Sequence, residues 1–288
     1  MERIGNAASR YGGKQLMSYD ADAQAYFTAV ETADGQALET GVKNAINSFV
    51  VGCKTDGIWS AIKAACIMAG ARTLSGALVP LVGPAPTSFN FVAGDYNRET
   101  GLLGNGSSKY LNSNRSANAD PQNSHHLSVW VAANAGFGAW VASRSAANGV
   151  GDESLAAAAA INWPFRSRFS VFNTPSQGTR STVTATGLIG LSRSNASNFV
   201  SRVSGSNETV LATSTTPTVS TYGVFARRRP DLNAWDSFNA SRLSWYSIGE
   251  AINLASLDSR LSTLMTDLAN PATYSSLRRN NAFIGLAF

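Results

Sequence analysis

The chain has 288 residues, which permits one large domain or two smaller ones and a substantial buried core. Hydrophobic residues make up 44%, but charged residues make up only 14%, against about 25% in an average protein; Ser, Thr, Asn, Ala and Gly fill the difference. The net charge of +5 is spread thinly except at Arg227–Arg228–Arg229 and Arg278–Arg279, so the chain lacks the clustered face of a nucleic-acid binder.

No run reaches the ~18 apolar residues that argue a membrane span, and residues 1–10 are polar, unlike a signal peptide. Residues 1–18 have no period and read as an extended arm. Asp20 caps a helix expected over 21–33, with Tyr26, Phe27 and Val30 on its apolar stripe and Gly35 as its stop. A second helix fits 38–53, where Val42, Ile46, Phe49, Val50 and Cys53 share one face. A third is expected over 58–71, with Trp59, Ile62 and Cys66 inward. These make a compact helical unit over 19–82. Cys53 and Cys66 read as small core residues, since a secreted disulfide scaffold carries more cysteines.

Pro80, Pro84 and Pro86 break the pattern. From Phe89 onward the signals are β. Residues 102–103 and 109–111 flank Gly104–Asn105–Gly106, a tight-turn signal. Alternating or apolar runs follow at 127–133, 137–141, 169–172, 183–191, 198–203, 209–212 and 219–226. A spacing of roughly ten residues with turns between is the pattern of a sandwich or barrel. Residues 156–160 look helical by alanine propensity, as a short insertion. A last strand fits 243–248 and a last helix 250–268. The order predicts an α+β, mainly β fold: an antiparallel β-sandwich over 83–269 including its closing helix, preceded by the helical unit. A tail over 270–288 follows. Its apolar end, Phe283, Ile284, Leu286 and Phe288, predicts an assembly contact.

The segments GLLGNGSSKYLNSN, HLSVWVAA, GLIGLSRS, FVSRV and RLSWYSIGEAINLASLDSRLSTLM resemble the laminin-G-like, concanavalin A-like lectin and glucanase sandwich. That likeness implies a jelly roll. The helical lead from Asp20 to Gly83, with FVAGDYNRETGLLGNGSSKYLNSN after it, resembles virion structural proteins of tailed bacteriophages, notably phages of marine bacteria and cyanobacteria. The resemblance covers about residues 20–268 and implies a virion protein assembled in the host bacterial cytoplasm. Its implied partners are other virion proteins, copies of itself and a host-surface glycan, with neither nucleic acid nor membrane insertion. Tail-fibre or host-adhesion function leads, capsid decoration is the alternative, and a phage glycan hydrolase is the alternative of another class.

The glucanases of that superfamily use a Glu-x-Asp-x-x-Glu strand to place paired carboxylates. No such triplet occurs here, and no Gly-x-Ser-x-Gly, phosphate loop or dinucleotide fingerprint. The expectation is therefore a chain that is not an enzyme. His125 and His126, the only histidines, are adjacent and on a strand point to opposite faces, so they do not make a metal pair. No cofactor is expected, with calcium the one ion whose ligands are present. Laminin-G-like sandwiches place calcium at their loop rim, and Asp95, Asn97, Asn118 and Asp120 offer hard oxygens there. The same residues are also the default turn formers, and that is the favoured reading. Trp130, Trp140, Trp163, Trp235, Tyr222 and Tyr246 are the aromatics able to stack on sugars. Trp163 and Trp235 stand out, because they sit in loop contexts beside polar residues. Arg227–Arg229 reads as a solvated loop.

Overall fold

The computed structural model of the chain describes residues 18–135, 137–144, 153–160, 163–171, 179–181, 185–230 and 233–274, and in 153–160, 163–171 and 179–181 the backbone alone. The expected arm, except Ser18, and the apolar residues Phe283, Ile284, Leu286 and Phe288 lie outside the described residues.

Helix α1 (Ala21–Asp34) begins at Asp20, whose carboxylate accepts from the Asp22 amide, and ends at Gly35 with φ 68°. Helix α2 (Thr40–Thr55) buries Val42, Ile46, Phe49, Val50 and Cys53, the face that the sequence spacing defines. The third expected helix is absent. A single 3₁₀ turn at Trp59–Ala61 leads instead into strand β1 (Ile62–Ile67). Ala64, Ala65, Cys66, Ile67, Met68 and Ala69 are all buried, on both faces of the strand. An apolar run of this kind fits helical and strand periods alike.

A turn of helix, α3 (Leu74–Ala77), precedes the remaining strands. In chain order these are β2 (Thr87–Phe89), β3 (Tyr96–Asn97), β4 (Gly101–Leu103), β5 (Tyr110–Ser116), β6 (His125–Ala133), β7 (Gly138–Ser143), β8 (Glu153–Ala160), β9 (Trp163–Val171) and β10 (Thr179–Ser181). Then come β11 (Gly187–Arg193), β12 (Asn198–Val203), β13 (Ser206–Leu211), β14 (Thr221–Val224), β15 (Arg227–Arg229), β16 (Ala234–Asp236) and β17 (Arg242–Gly249), before helix α4 (Leu254–Ala269). The alanine run is thus strand β8, held between β7 and β9, where pairing overrides helix propensity. The three arginines form strand β15, not a solvated loop.

Among the described residues the strands make two sheets. The first runs β13-β12-β11-β6-β17-β4-β3, with β1 also on β17. Strand β6 pairs along one edge of β17, and β4 and β1 share the other end to end. The second runs β10-β9-β8-β7-β14-β5-β2, with the β15–β16 hairpin attached through β7. Gly104–Asn105–Gly106 is not a hairpin turn: β4 lies in the first sheet and β5 in the second.

Two cores result. Between the sheets, Leu127, Val129, Ile189, Leu191, Tyr246 and Ile248 of the first meet Leu111, Trp140, Tyr222 and Val224 of the second. On the other side of the first sheet, Trp245, Leu188, Ala65 and Ile67 meet α1, α2 and α4. Phe49 of α2 packs edge-on against Trp245, with ring centroids 5.3 Å apart. Each large apolar side chain fully buried here contributes about 1.5–3 kcal/mol, so the helical layer is an integral third layer on the first sheet. Cys53 and Cys66 are free and buried. Burial pushes both thiols up to about 12.

Candidate functional site

Outside the cores, one group of aromatic side chains is left partly exposed. It sits on the outer face of the second sheet. In β5 Leu111 is fully buried while its neighbours Tyr110 and Asn112 are half-buried, as strand alternation requires. Strand β2 lies antiparallel to β5 and places Phe89 directly opposite Tyr110. Their rings stack with centroids 4.5 Å apart and planes 10° from parallel. Asn90, with φ 64°, turns the chain away immediately afterwards.

The β15–β16 hairpin brings the third ring. Trp235 is paired with Arg228 and stacks on Tyr110 at 4.4 Å. It lies over Gly223 of β14, where an added Cβ would come within 2.6 Å of its ring. Phe238 borders Tyr110 at 6.0 Å. The Arg228 guanidinium stands 5.3 Å from the Trp235 ring centre and donates to the Ala234 carbonyl and the Asn233 side chain. Arg227 makes two 2.8 Å bonds to Asp236, and Arg229 a third at 3.3 Å. Burial raises the Asp236 carboxyl, but these ion pairs outweigh it and hold the group below the usual carboxylate range.

The row therefore runs Phe89, Tyr110, Trp235. Tyr110 stacks with both neighbours, and Phe89, 37% exposed, is the ring that turns a free face to solvent. The Tyr110 hydroxyl and the Trp235 indole N–H make no hydrogen bond among the described residues. Burial raises the Tyr110 phenol, with Arg228 opposing, so it stays a neutral donor. An apolar face bordered by uncommitted donors suits the C–H face and hydroxyls of a sugar ring.

Of the residues singled out in the sequence, Trp235 is in this row, in a strand and half-buried, where it supports Tyr110 more than it offers a face of its own. Trp163 begins β9, opposite Ala160. Trp140, Tyr222 and Tyr246 are fully buried core residues. Phe89 and Tyr110 escaped the sequence reading, because only the pairing of β2 with β5 brings them together.

The four oxygen ligands proposed for calcium are not brought together. Asp95 bonds Lys109 and caps the Val92 amide, and Asn97 accepts from the amides of Glu99 and Thr100. Asp120 is buried against Arg115, while Asn118 takes the Ser116 hydroxyl. A cation would have to displace Lys109 and Arg115. Among the described residues no three of His, Cys, Asp and Glu cluster as metal ligands. The two histidines do point apart. His126 faces the helices and contacts Ser247, whereas His125 faces the second sheet and Tyr222. No helix among the described residues is long and apolar enough to cross a membrane.

No family model matches the chain, and no curated protein matches it. Solved structures do. Domain 4 of an extracellular GH43 arabinanase from Geobacillus stearothermophilus, in complex with arabinotriose, is 10% identical with a TM-score of 0.37, over 62% of this chain and 82% of that one. Tailspike protein 2 of an Escherichia coli O157:H7 bacteriophage is 8% identical with a TM-score of 0.41, over 65% of this chain and 27% of its own. The NanB sialidase of Streptococcus pneumoniae is 15% identical with a TM-score of 0.35, over 59% and 28%. This chain thus spans less than two thirds of the tailspike and of the sialidase. At such scores these likenesses assign no activity, ligand or assembly.

The expectation that the chain is not an enzyme is nevertheless corrected, because the absence of a motif does not exclude hydrolysis. The similar solved structures are mostly glycoside hydrolases and sialidases. The exclusion rested on one missing strand motif, and carboxylates assembled from separate strands leave no such motif in a sequence.

Proposed function

We propose that the chain is an exposed structural protein of a tailed-phage virion, with a jelly-roll sandwich, that contacts host-surface glycan through the Phe89–Tyr110–Trp235 row. The observation that carries this reading is the row itself: three stacked rings on the outer face of the second sheet, with Phe89 open to solvent and two donors uncommitted. The resemblance of the helical lead to phage virion proteins supplies the setting. The surface of short neutral side chains supports a role in assembly. A flat aromatic strip binds weakly as one copy, and repetition on a particle converts weak sites into avidity. Tail adhesion is the leading placement and decoration of the head the alternative.

The test is the copy number of the chain in purified particles, by quantitative mass spectrometry against the major capsid protein. A few to a few tens of copies supports the tail, and hundreds the head. Absence from particles overturns the virion reading. Adhesion and glycan hydrolysis share the contact and differ in its product, so the release of reducing ends from host polysaccharide separates them.

A further inference from the structure

A recess lies away from the aromatic row, against the helix-facing side of the first sheet. It is a cleft of about 390 Å³ between the segment before β4, the ends of β6 and β11, and the last turns of α4. That volume is at the lower end of small-molecule sites, about 300–1,000 Å³. Trp130 lines it from the sheet. Its cross-strand neighbours Leu188 and Trp245 are buried in the helix–sheet core, but Trp130 is only half-buried. Met265 of α4 lines it as well.

Several polar groups of this cleft are open to solvent and to a ligand. The Glu99 carboxylate, the Thr100 and Thr186 hydroxyls and the Trp130 indole N–H have no partner among the described residues. The Ser244 hydroxyl donates to the Thr100 carbonyl at 2.8 Å, which leaves its lone pairs as acceptors. No Lys or Arg lines the cleft. An indole beside hydroxyls and a carboxylate matches a ring with one apolar face and several hydroxyls. A wholly apolar ligand would strip water from these groups and give nothing back. Glu99 only accepts and is negative, so it favours hydroxyl and ammonium donors and opposes a carboxylate.

We infer that this cleft binds a single hexopyranose ring, neutral or amino-substituted, stacked on Trp130. The site is separate from the aromatic row and does not depend on it.

Saturation-transfer NMR on the full chain tests it, with glucose, galactose, mannose, glucosamine and glucuronate as probes. Signal is expected from at least one neutral sugar or from glucosamine, and not from glucuronate. Trp130→Ala abolishes it. Thr186→Tyr, a change at an exposed position that fills the cleft, does the same with the core intact. Glu99→Gln weakens glucosamine binding by about threefold, the scale of one exposed ion pair. Phe89→Ala, in the aromatic row, changes nothing here. Silence from every probe with folded protein overturns the inference. So does a signal that survives both Trp130→Ala and Thr186→Tyr, or glucuronate binding as well as the others.

Discussion

Ser247 and His126 meet across strands β17 and β6 with Oγ and Nε2 2.9 Å apart, both out of contact with solvent. The other ring nitrogen lies 2.6 Å from the Glu250 carbonyl, which can only accept, so Nδ1 carries the proton and Nε2 accepts from Ser247. The direction then propagates. Ser247 accepts from Ser128 at 2.7 Å, and Ser128 from the Trp245 indole N–H at 3.1 Å. One imidazole, two hydroxyls and one indole are satisfied in a single sense beneath the helical layer. Full burial makes Ser247 a structural link rather than a nucleophile.

This chain sets a pH dependence. Burial is the largest influence on His126 and pushes it down to about 4 from an ordinary 6.5, with the Glu250 contact opposing. The folded pKa is below the unfolded one, so the unfolded chain binds more protons between these values. The contribution is complete above the unfolded pKa and falls with pH toward the folded one, by about 3 kcal/mol in all. Urea midpoints from pH 7.5 to 4.5 should decline in the wild type and decline less in His126→Gln. Equal slopes for the two proteins contradict the assignment.

Gly223→Ala tests the seat of Trp235. The new methyl would come within 2.5 Å of the Ala226 carbonyl and 2.6 Å of the indole. Something must shift, and the β15–β16 hairpin is the element off the main sheet path. A loss of about 1–3 kcal/mol is expected, together with red-shifted emission from Trp235, read as a difference against Trp235→Phe. An unchanged melting temperature and spectrum would show that the ring does not rest on Gly223.

Glu39 ties the start of α2 to the sheet and to the end of α4. Its half-closed carboxylate takes both terminal nitrogens of Arg98 at 3.0 and 2.8 Å and one of Arg72 at 3.0 Å. Arg98 in turn lies 4.0 Å from the Tyr274 ring centre. Burial raises the Glu39 carboxyl, yet the two arginines outweigh it and hold the group low. Its stabilising share is therefore present at neutral pH and lost as pH falls through that lowered pKa. Glu39→Ala leaves Arg98 partly buried without its anion and should cost about 2–4 kcal/mol in urea unfolding. A cost near zero would make the contact a surface pair.

The thiols give a simpler check. Cys53 and Cys66 are buried, free and raised by burial. A thiol reagent at pH 8 should label neither in the native chain and both in urea. Rapid native labelling would place one of them at the surface.

Helix α1 was legible because Asp20 and Gly35 bracket it with opposite capping chemistry. Strands β6, β12 and β17 were legible from alternation or β-rich composition. Strand β1 was not, since burial on both faces erases the period that separates strand from helix. Alanine propensity misled at β8, where two neighbouring strands decide the backbone. Turn signals at 104–106 showed that the chain turns but not that it changes sheet. The same limit governs the site. Trp235 could be singled out by its polar neighbours, whereas Phe89 and Tyr110 meet only because β2 pairs with β5, a non-local fact that no local pattern carries.

The most direct test of the central claim is binding of the full chain to a panel of purified bacterial surface polysaccharides, beside Phe89→Ala. Phe89 is partly exposed and, among the described residues, stacks on Tyr110 alone, so its loss should cost only about 1 kcal/mol and leave the chain folded. The account predicts binding to at least one polysaccharide, weakened about tenfold by Phe89→Ala, the scale of one aromatic contact. Binding that Phe89→Ala leaves intact, or no binding to any member of the panel, would contradict it.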